Sequence, residues 1–295
     1  MKYIQFSDKG PRMNNEDCLN IVEIEDKRTL FVVCDGMGGH EHGEVASQTV
    51  SQAIGDWYKS KATHPLNKPQ IEDAITYAYA KLDEKDGGEF RKMGTTLTLL
   101  YIGNNGVTAA HMGDSRIYHI RPGVGVLYQS RDHSLVFDLF QAGEITYEEM
   151  ATYPQKNMVT RAMTPGEDNR MRLDIIHITD IQPNDYFYMC SDGMLEQMSN
   201  DQLVAVLSSE TTDKDKQDQL IEATSNNQDN HTAWIIHIKS VVKEEKDWEI
   251  PNEELTAKCN MALNYPSMEN KNSDVTIVKK SAYSPLGFIK RIFNV

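Results

Sequence analysis

The sequence predicts an α+β protein in which helices pack on largely antiparallel sheets. Three observations predict it. Apolar runs of strand length recur at 18–24, 30–34, 95–102, 107–112, 116–121, 126–129, 173–178, 186–190 and 233–238. Several lie only a few residues apart, too close for the helical crossover that a parallel pair requires. Between 34 and 95 the apolar period becomes that of a helix, and two successive amphipathic segments must bury their apolar faces on a sheet.

Taken in order, each element has a local cause. Leu30-Phe31-Val32-Val33-Cys34 is continuously apolar and reads as a buried strand. Segment 44–61 sets Val45, Val50, Ile54 and Trp57 along one side of a helix. Segment 71–85 sets Ile71, Ala74, Ile75, Ala78 and Leu82 at the i, i+3, i+4, i+7 spacing. Gly103-Asn104-Asn105-Gly106 is the turn between the strands at 95–102 and 107–112. Shorter helices are predicted at 134–143, 147–152, 201–208 and 214–225. Residues 239–274 are polar, hold Pro251 and Pro266, and show no period, so they read as a linker or loosely attached tail. The division expected is therefore a domain at 1–240 and a tail at 241–295.

With 44 acidic against 30 basic residues the formal net charge is −14. That argues against a nucleic-acid-binding domain, which presents a basic face, and suits acidic groups partly neutralised by cations. The first residues lack a signal-peptide apolar core and no stretch approaches the length of a membrane span, so the expected location is the cytoplasm. Cys18, Cys34, Cys190 and Cys259 lie far apart without a CxxC pair, which points to reduced thiols rather than a disulfide framework or a zinc site.

The chemistry lies in acids at the ends of β-runs. Asp35 closes the run 30–34 and opens Asp35-Gly36-Met37-Gly38-Gly39-His40. Asp192 follows 186–190 and precedes Gly193; Asp114 follows His111-Met112-Gly113; Asp229-Asn230 precedes the last strand. A strand end holds a carboxylate stiffly while leaving it open to solvent, as a preorganised metal ligand requires. The adjacent glycine lets a carbonyl bend toward the same cation. Mg²⁺ and Mn²⁺ favour such all-oxygen sets. One Asp-Gly pair is a common turn; two such turns, with Gly-Asp-Ser and Asp-Asn at similar junctions, form a pattern.

These residues belong to blocks that run in a known order. The blocks are Arg12-Met13-Asn14-Asn15-Glu16-Asp17, the Asp35–His40 stretch with Gly43-Glu44-Val45-Ala46-Ser47, and Met93-Gly94-Thr95-Thr96-Leu97. Next come Ala110-His111-Met112-Gly113-Asp114-Ser115-Arg116 and Ser130-Arg131-Asp132-His133-Ser134. Asn157-Met158-Val159-Thr160-Arg161-Ala162, Cys190-Ser191-Asp192-Gly193 and Asp229-Asn230-His231-Thr232 complete the set. Over about residues 1–240 the chain resembles the bacterial form of the metal-dependent protein serine/threonine phosphatases, the protein phosphatase 2C family.

The resemblance implies a four-layer α-β-β-α fold, a central antiparallel β-sandwich flanked by helices. It also implies a signalling enzyme that hydrolyses phosphoserine and phosphothreonine on protein substrates of a paired serine/threonine kinase. The implied cofactors are two Mn²⁺ or Mg²⁺ ions, with a third more loosely held. Asp35 would bridge two metals, the Gly36 carbonyl would join one, and Asp192 and Asp229 would hold the other. Asp114, sharing Asp192, would hold the third. Glu16 and Asp17 would order metal-bound water, and Arg12 would grip the substrate phosphate bidentately. The implied catalytic residues are thus Arg12, Asp35 and Asp192, with a metal-activated water as nucleophile and no covalent intermediate.

Met37 follows the Asp-Gly pair where animal members place a histidine that is a candidate general acid, so that role does not transfer. His40, His42 and His133 read as loop or structural residues. Met163 stands where glycine is common, at the end of the segment 137–163 that corresponds to the family's flap. A two-metal hydrolase of a non-protein phosphate ester would share these metal residues, whereas a non-catalytic regulatory module predicts their erosion, and all four aspartates are present. The tail ends in an apolar-basic stretch from Leu286 to Phe293. As a helix it would set Phe288, Ile289, Ile292 and Phe293 on one side, suited to docking on a partner or on its own domain.

Overall fold

A computed structural model describes residues 1–24, 28–38, 42–62, 66–86, 93–104, 106–166 and 170–241. The tail expected beyond residue 241 lies outside the described residues, as does His40. Two antiparallel sheets face each other. The first has the order β1 (Lys2–Asp8), β11 (His231–His237), β10 (Tyr186–Cys190), β7 (Arg116–Arg121), β8 (Gly125–Gln129). The second has the order β2 (Asp17–Ile24), β3 (Arg28–Met37), β5 (Leu97–Gly103), β6 (Gly106–Met112), β9 (Asp174–Ile178), and the short β4 (Gly94–Thr95) also pairs with β3. Helices α1 (His42–Lys61) and α2 (Lys68–Asp83) cover the outer face of the second sheet. Helices α5 (Asn200–Ser208) and α6 (Asp213–Ala223) cover the outer face of the first. Between β8 and β9 lie α3 (Leu135–Ala142) and α4 (Tyr147–Met150).

Side-chain alternation explains the layers. On β3, Leu30, Val32 and Cys34 face the α1–α2 layer while Phe31 and Val33 face the other sheet. On β10, Tyr186, Tyr188 and Cys190 face α5 and α6 while Phe187 and Met189 point inward. A strand covered on both faces has no polar side to show, which is why these runs are continuously apolar in sequence. Trp234 on β11 spans the middle: its Nε1 donates to the Val32 carbonyl of the opposite sheet at 3.2 Å, and its ring meets Phe31 edge-on at 5.3 Å. The layer around Trp234 is therefore apolar, with its indole donor satisfied.

Three boundaries depart from expectation for physical reasons. Helix α2 begins at Lys68, three residues before the expected 71. Asn67 and Gln70 form a reciprocal capping box and Pro69 sits in the first turn, a polar signal that an apolar count overlooks. The strand expected at 95–102 is split at Thr96, whose amide donates to the Asp35 carbonyl at 2.8 Å instead of continuing the ladder. Strand β1 was not expected. It is an edge strand that is mostly exposed, and it pairs with β11 from Lys2↔His237 to Asp8↔His231.

Truncating Trp234 leaves a large void between the sheets and removes the indole bond to the Val32 carbonyl. Trp234→Ala should cost about 3–5 kcal/mol of stability, as large aromatic truncations do, read as a lowered midpoint in urea unfolding.

Candidate metal centre

One end of the sandwich gathers the acids, because five strand ends stop there. Asp35 lies near the end of β3, directly opposite Asp17 at the start of β2. Its backbone is held on both sides. The Asp35 amide donates to Thr96 Oγ1 at 2.9 Å, and the Asp35 carbonyl accepts from the Thr96 amide and from Thr95 Oγ1 at 2.9 Å. Thr96 Oγ1 in turn shares a 2.8 Å hydrogen bond with Ser115 Oγ, beside Asp114. Gly36 donates its amide to the Glu16 carbonyl at 3.1 Å, and a Cβ on Gly36 would overlap the Gly43 carbonyl. The Glu16 carboxylate lies against Gly43, where α1 begins. Only glycine fits at either position.

From the first sheet come Asp192, after β10, and Asp229, before β11. Asn230 staples this end. Its Oδ1 accepts from the Glu16 amide at 2.8 Å, and its Nδ2 donates to the carbonyls of Lys9 and Asn14 at 2.8 and 2.9 Å. A Cβ on Gly193 would overlap the Asn230 carbonyl, so the Asp192-Gly193 turn is pressed against the staple. Ser191 Oγ donates to Asp17 Oδ2 at 2.7 Å, tying the first sheet to the second. Asp229 accepts from the Asn230 amide at 2.8 Å and from Arg12 Nη2 at 2.7 Å, while Arg12 Nε donates to the Gln228 carbonyl at 3.2 Å. The Arg12 side chain keeps 56% of its surface exposed, so it stands at the mouth of the cluster.

Charge makes the cluster unusual. Desolvation first, and then the charges of Asp17, Asp192, Asp114 and Asp229, hold Asp35 well above the usual carboxylate range. Burial followed by the charges of Asp192 and Asp132 does the same to Asp114. Burial, with Asp192 and Asp229 adding to it, pushes Asp17 up to about 7 against hydrogen bonds from Ser191 and Thr232. Burial and Asp229 push Asp192 up to about 6. At the opposite end of the sheet Asp185 shows the contrast. Burial raises it, but hydrogen bonds from His119 and Arg121 outweigh this and draw it down to about 2. At the acidic end the arginines nearest the cluster are already engaged, Arg12 with Asp229 and Arg116 with Asp132.

These residues fit a divalent cation. The donors are all oxygen, they come from rigid strand ends, and the buried Asp17 Oδ1 has no hydrogen-bond partner among the described residues. The residues expected from sequence are thus brought together: Asp35, Gly36, Asp114, Asp192 and Asp229, with Glu16, Asp17 and Arg12 around them. Sequence reasoning missed the parts that hold them, namely Thr95, Thr96, Ser115, Ser191 and Asn230. All five sit inside the blocks quoted above, beside the acids, but a hydroxyl or amide has no charge to draw notice. Met163, where glycine is common, is buried and pairs with Thr95 through mutual backbone hydrogen bonds of 3.0 and 2.8 Å.

Proteins similar to this chain in sequence and in fold are serine/threonine phosphatases, which are hydrolases. Residues 11–225 match the profile described as protein phosphatase 2C, and the chain belongs to that family. It is 30% identical over 245 residues to the serine/threonine phosphatase stp of Listeria innocua serovar 6a, covering 78% of this chain and 93% of that one. Its structure is similar to that of the S. agalactiae serine/threonine phosphatase, with TM-score 0.71, 31% identity and coverage of 81% of this chain and 99% of that one. It is also similar to the catalytic domain of the phosphatase PstP solved with two manganese ions, with TM-score 0.65, 28% identity and coverage of 81% and 98%. The expected α-β-β-α architecture holds. Among the described residues no helix is long and apolar enough to cross a membrane.

A pH dependence follows. A carboxyl whose pKa is higher in the folded chain stabilises it most below the ordinary value of 3.8 and loses that contribution as pH rises through the folded value. For Asp17 the loss spans the interval up to about 7, and for Asp192 up to about 6. The chelated protein should therefore melt lower at about pH 7.5 than at about pH 5 on account of these groups. The upward shift of Tm caused by Mn²⁺ should grow over the same interval. A Mn²⁺ shift that is constant across it would count against a carboxylate site.

Proposed function

We propose that the chain hydrolyses phosphoserine and phosphothreonine on proteins with a water activated by two divalent cations, Mn²⁺ or Mg²⁺. Asp35, the Gly36 carbonyl, Asp192 and Asp229 would hold the two ions, and Asp114 with Asp192 would hold a third. The observation that carries this is the burial of Asp17, Asp35, Asp114 and Asp192 at one end of the sandwich; burial first, and then the charge of neighbouring acids, raises the proton affinity of each. The manganese ions of the similar PstP structure support the choice of cation. Such cations, when bound, supply Lewis acidity that lowers the pKa of a water and neutralises phosphoryl oxygens.

The chain's own groups do the rest. Arg12, at the mouth and fixed through Nε and Nη2 to the 228–229 turn, is placed to meet a phosphate entering from solvent. Asp17, whose Oδ2 accepts from Ser191, and Glu16, whose carboxylate lies against Gly43, would orient water beside the cations. No serine or cysteine nucleophile is needed: Cys34 and Cys190 are buried, and burial first of all pushes both thiols far above the usual range. The phosphoproteins we infer as substrates are those of a paired serine/threonine kinase.

Hydrolysis of a phosphothreonine peptide with Mn²⁺ or Mg²⁺ tests this, and equal turnover of a nucleotide phosphate would transfer the assignment to a small-molecule hydrolase. Asp35→Asn, which keeps the volume and removes the charge, should lower kcat by about a thousandfold or more, the scale of losing a catalytic metal's ligand. Arg12→Ala should instead raise KM with a smaller change in kcat, because its partner is the bound phosphate.

A further inference from the structure

Behind Asp114 lies a second cluster that the metal centre does not use: His111, His133, Asp174 and Arg161. The His133 side chain is 1% exposed, and both its ring nitrogens are engaged. The Gly113 amide points at Nδ1 from 3.1 Å. A backbone N–H can only donate, so Nδ1 carries the lone pair and Nε2 carries the proton. Nε2 accordingly faces Asp174 Oδ2 at 3.1 Å; Arg161 Nη1 donates to the other oxygen, Oδ1, at 3.2 Å, and its longer 3.3 Å approach to Nε2 sets two donors side by side and makes no bond. The His111 ring stacks on His133 at 4.8 Å and 6°, with its Nε2 2.7 Å from the Arg131 carbonyl.

The ligand atoms of His111, His133 and Asp174 lie within 4.8 Å of one another, as in a metal site. The tautomer argues against one. A cation at Nε2 would have to displace the proton while Nδ1 still accepts from Gly113, leaving the ring an imidazolate beside a guanidinium. Nor is His133 placed as a proton donor to substrate, since its N–H is directed to Asp174.

What His133 does hold is Gly113. The ring accepts from the Gly113 amide, and the His133 amide donates to the Gly113 carbonyl at 2.9 Å. Gly113 has φ +109°, a conformation other residues rarely adopt, and a Cβ there would press on Thr96. The residue before Asp114 is thus fixed by His133 on one side and by Thr96 on the other. The His133 carbonyl accepts from the Thr160 amide at 2.8 Å, and Ser134 bridges to Val159, so the same residue clamps both ends of the segment that carries α3 and α4.

We infer that His133 is a positioning residue for the phosphatase reaction, holding Asp114 in the carboxylate cluster through its Nδ1 bond to Gly113. The inference rests on the assignment of Asp114 to a cation. The experiment compares His133→Gln, which fills the site without an acceptor at the Nδ1 position, with His133→Asn, whose Oδ1 can reach that position. Each is made alone and with Asp114→Ala in the full chain, and phosphothreonine-peptide hydrolysis is followed against Mn²⁺ concentration.

His133→Gln should lower kcat about tenfold, the effect of one lost positioning hydrogen bond. It should also raise the Mn²⁺ needed for half-maximal rate, with KM changed less than about twofold. His133→Asn should recover most of both. In the Asp114→Ala background His133→Gln should have little further effect, since the two act as one unit. Additive losses, or Asn and Gln variants that behave alike, would overturn the positioning role. If Asp114→Ala alone leaves the Mn²⁺ dependence unchanged, it is the cation assignment of Asp114 that fails, and the inference falls with it. Circular dichroism and Tm of each variant identify a variant that fails to fold. Should His133→Gln do so while His133→Asn folds and is fully active, the acceptor at Nδ1 is required for the turn, as inferred; an unfolded Asn variant would instead overturn it.

Discussion

Like charges brought together out of water repel, and this molecule is arranged around that cost. A lone carboxylate in a desolvated site loses much of its hydration and must find a cation, a proton or hydrogen-bond donors in exchange. Asp185 finds them in His119 and Arg121 and is drawn down in pKa. Asp35 and Asp114 hold protons well above the usual range, because they are buried and their neighbours are other acids. The repulsion has to be resisted by the scaffold. That is the role of the Thr95–Thr96 grip on Asp35, the Asn230 staple, and the bond from Ser191 to Asp17. Each is a neutral donor or acceptor holding backbone or carboxylate where charge alone would push it apart.

This explains the distribution of glycine and small polar residues around the site. Gly36, Gly43 and Gly193 stand where backbone meets backbone, with no room for a Cβ. A bulkier residue would move an acid by a fraction of an ångström or more, enough to spoil a site whose ligands must keep their geometry. Rigidity here comes from close backbone approach rather than from the apolar core, which lies farther along the strands.

Much of this was legible in the sequence. The acids announce themselves because each adjoins an apolar run, and the runs are continuous because β3, β10 and β11 are covered on both faces. The order of the blocks carried the fold beyond what periodicity could supply. What was not legible has two causes. Strand β1 is a mostly exposed edge, so its residues show no clear alternation. The Gly113–His133–Asp174 chain joins three segments distant in sequence, and no local pattern reports a contact between residues 20 and 41 positions apart. His133 accordingly read as an ordinary structural histidine, which describes its burial but not its position behind Asp114.

The order of strands in the first sheet bears on how the protein is made. Among the described residues β1, the first strand, pairs only with β11, the last, and β11 also completes the pairing of β10. Asp229 and Asn230 enter with that final strand. As synthesis runs from the N-terminus, a nascent chain can lay α1 and α2 on the second sheet long before its first strand has a neighbour. Until about the last strand has left the ribosome, the Glu16 amide lacks Asn230 and the acidic cluster lacks one of its members. A growing chain therefore carries most of the acidic cluster before the strand that closes it has been made.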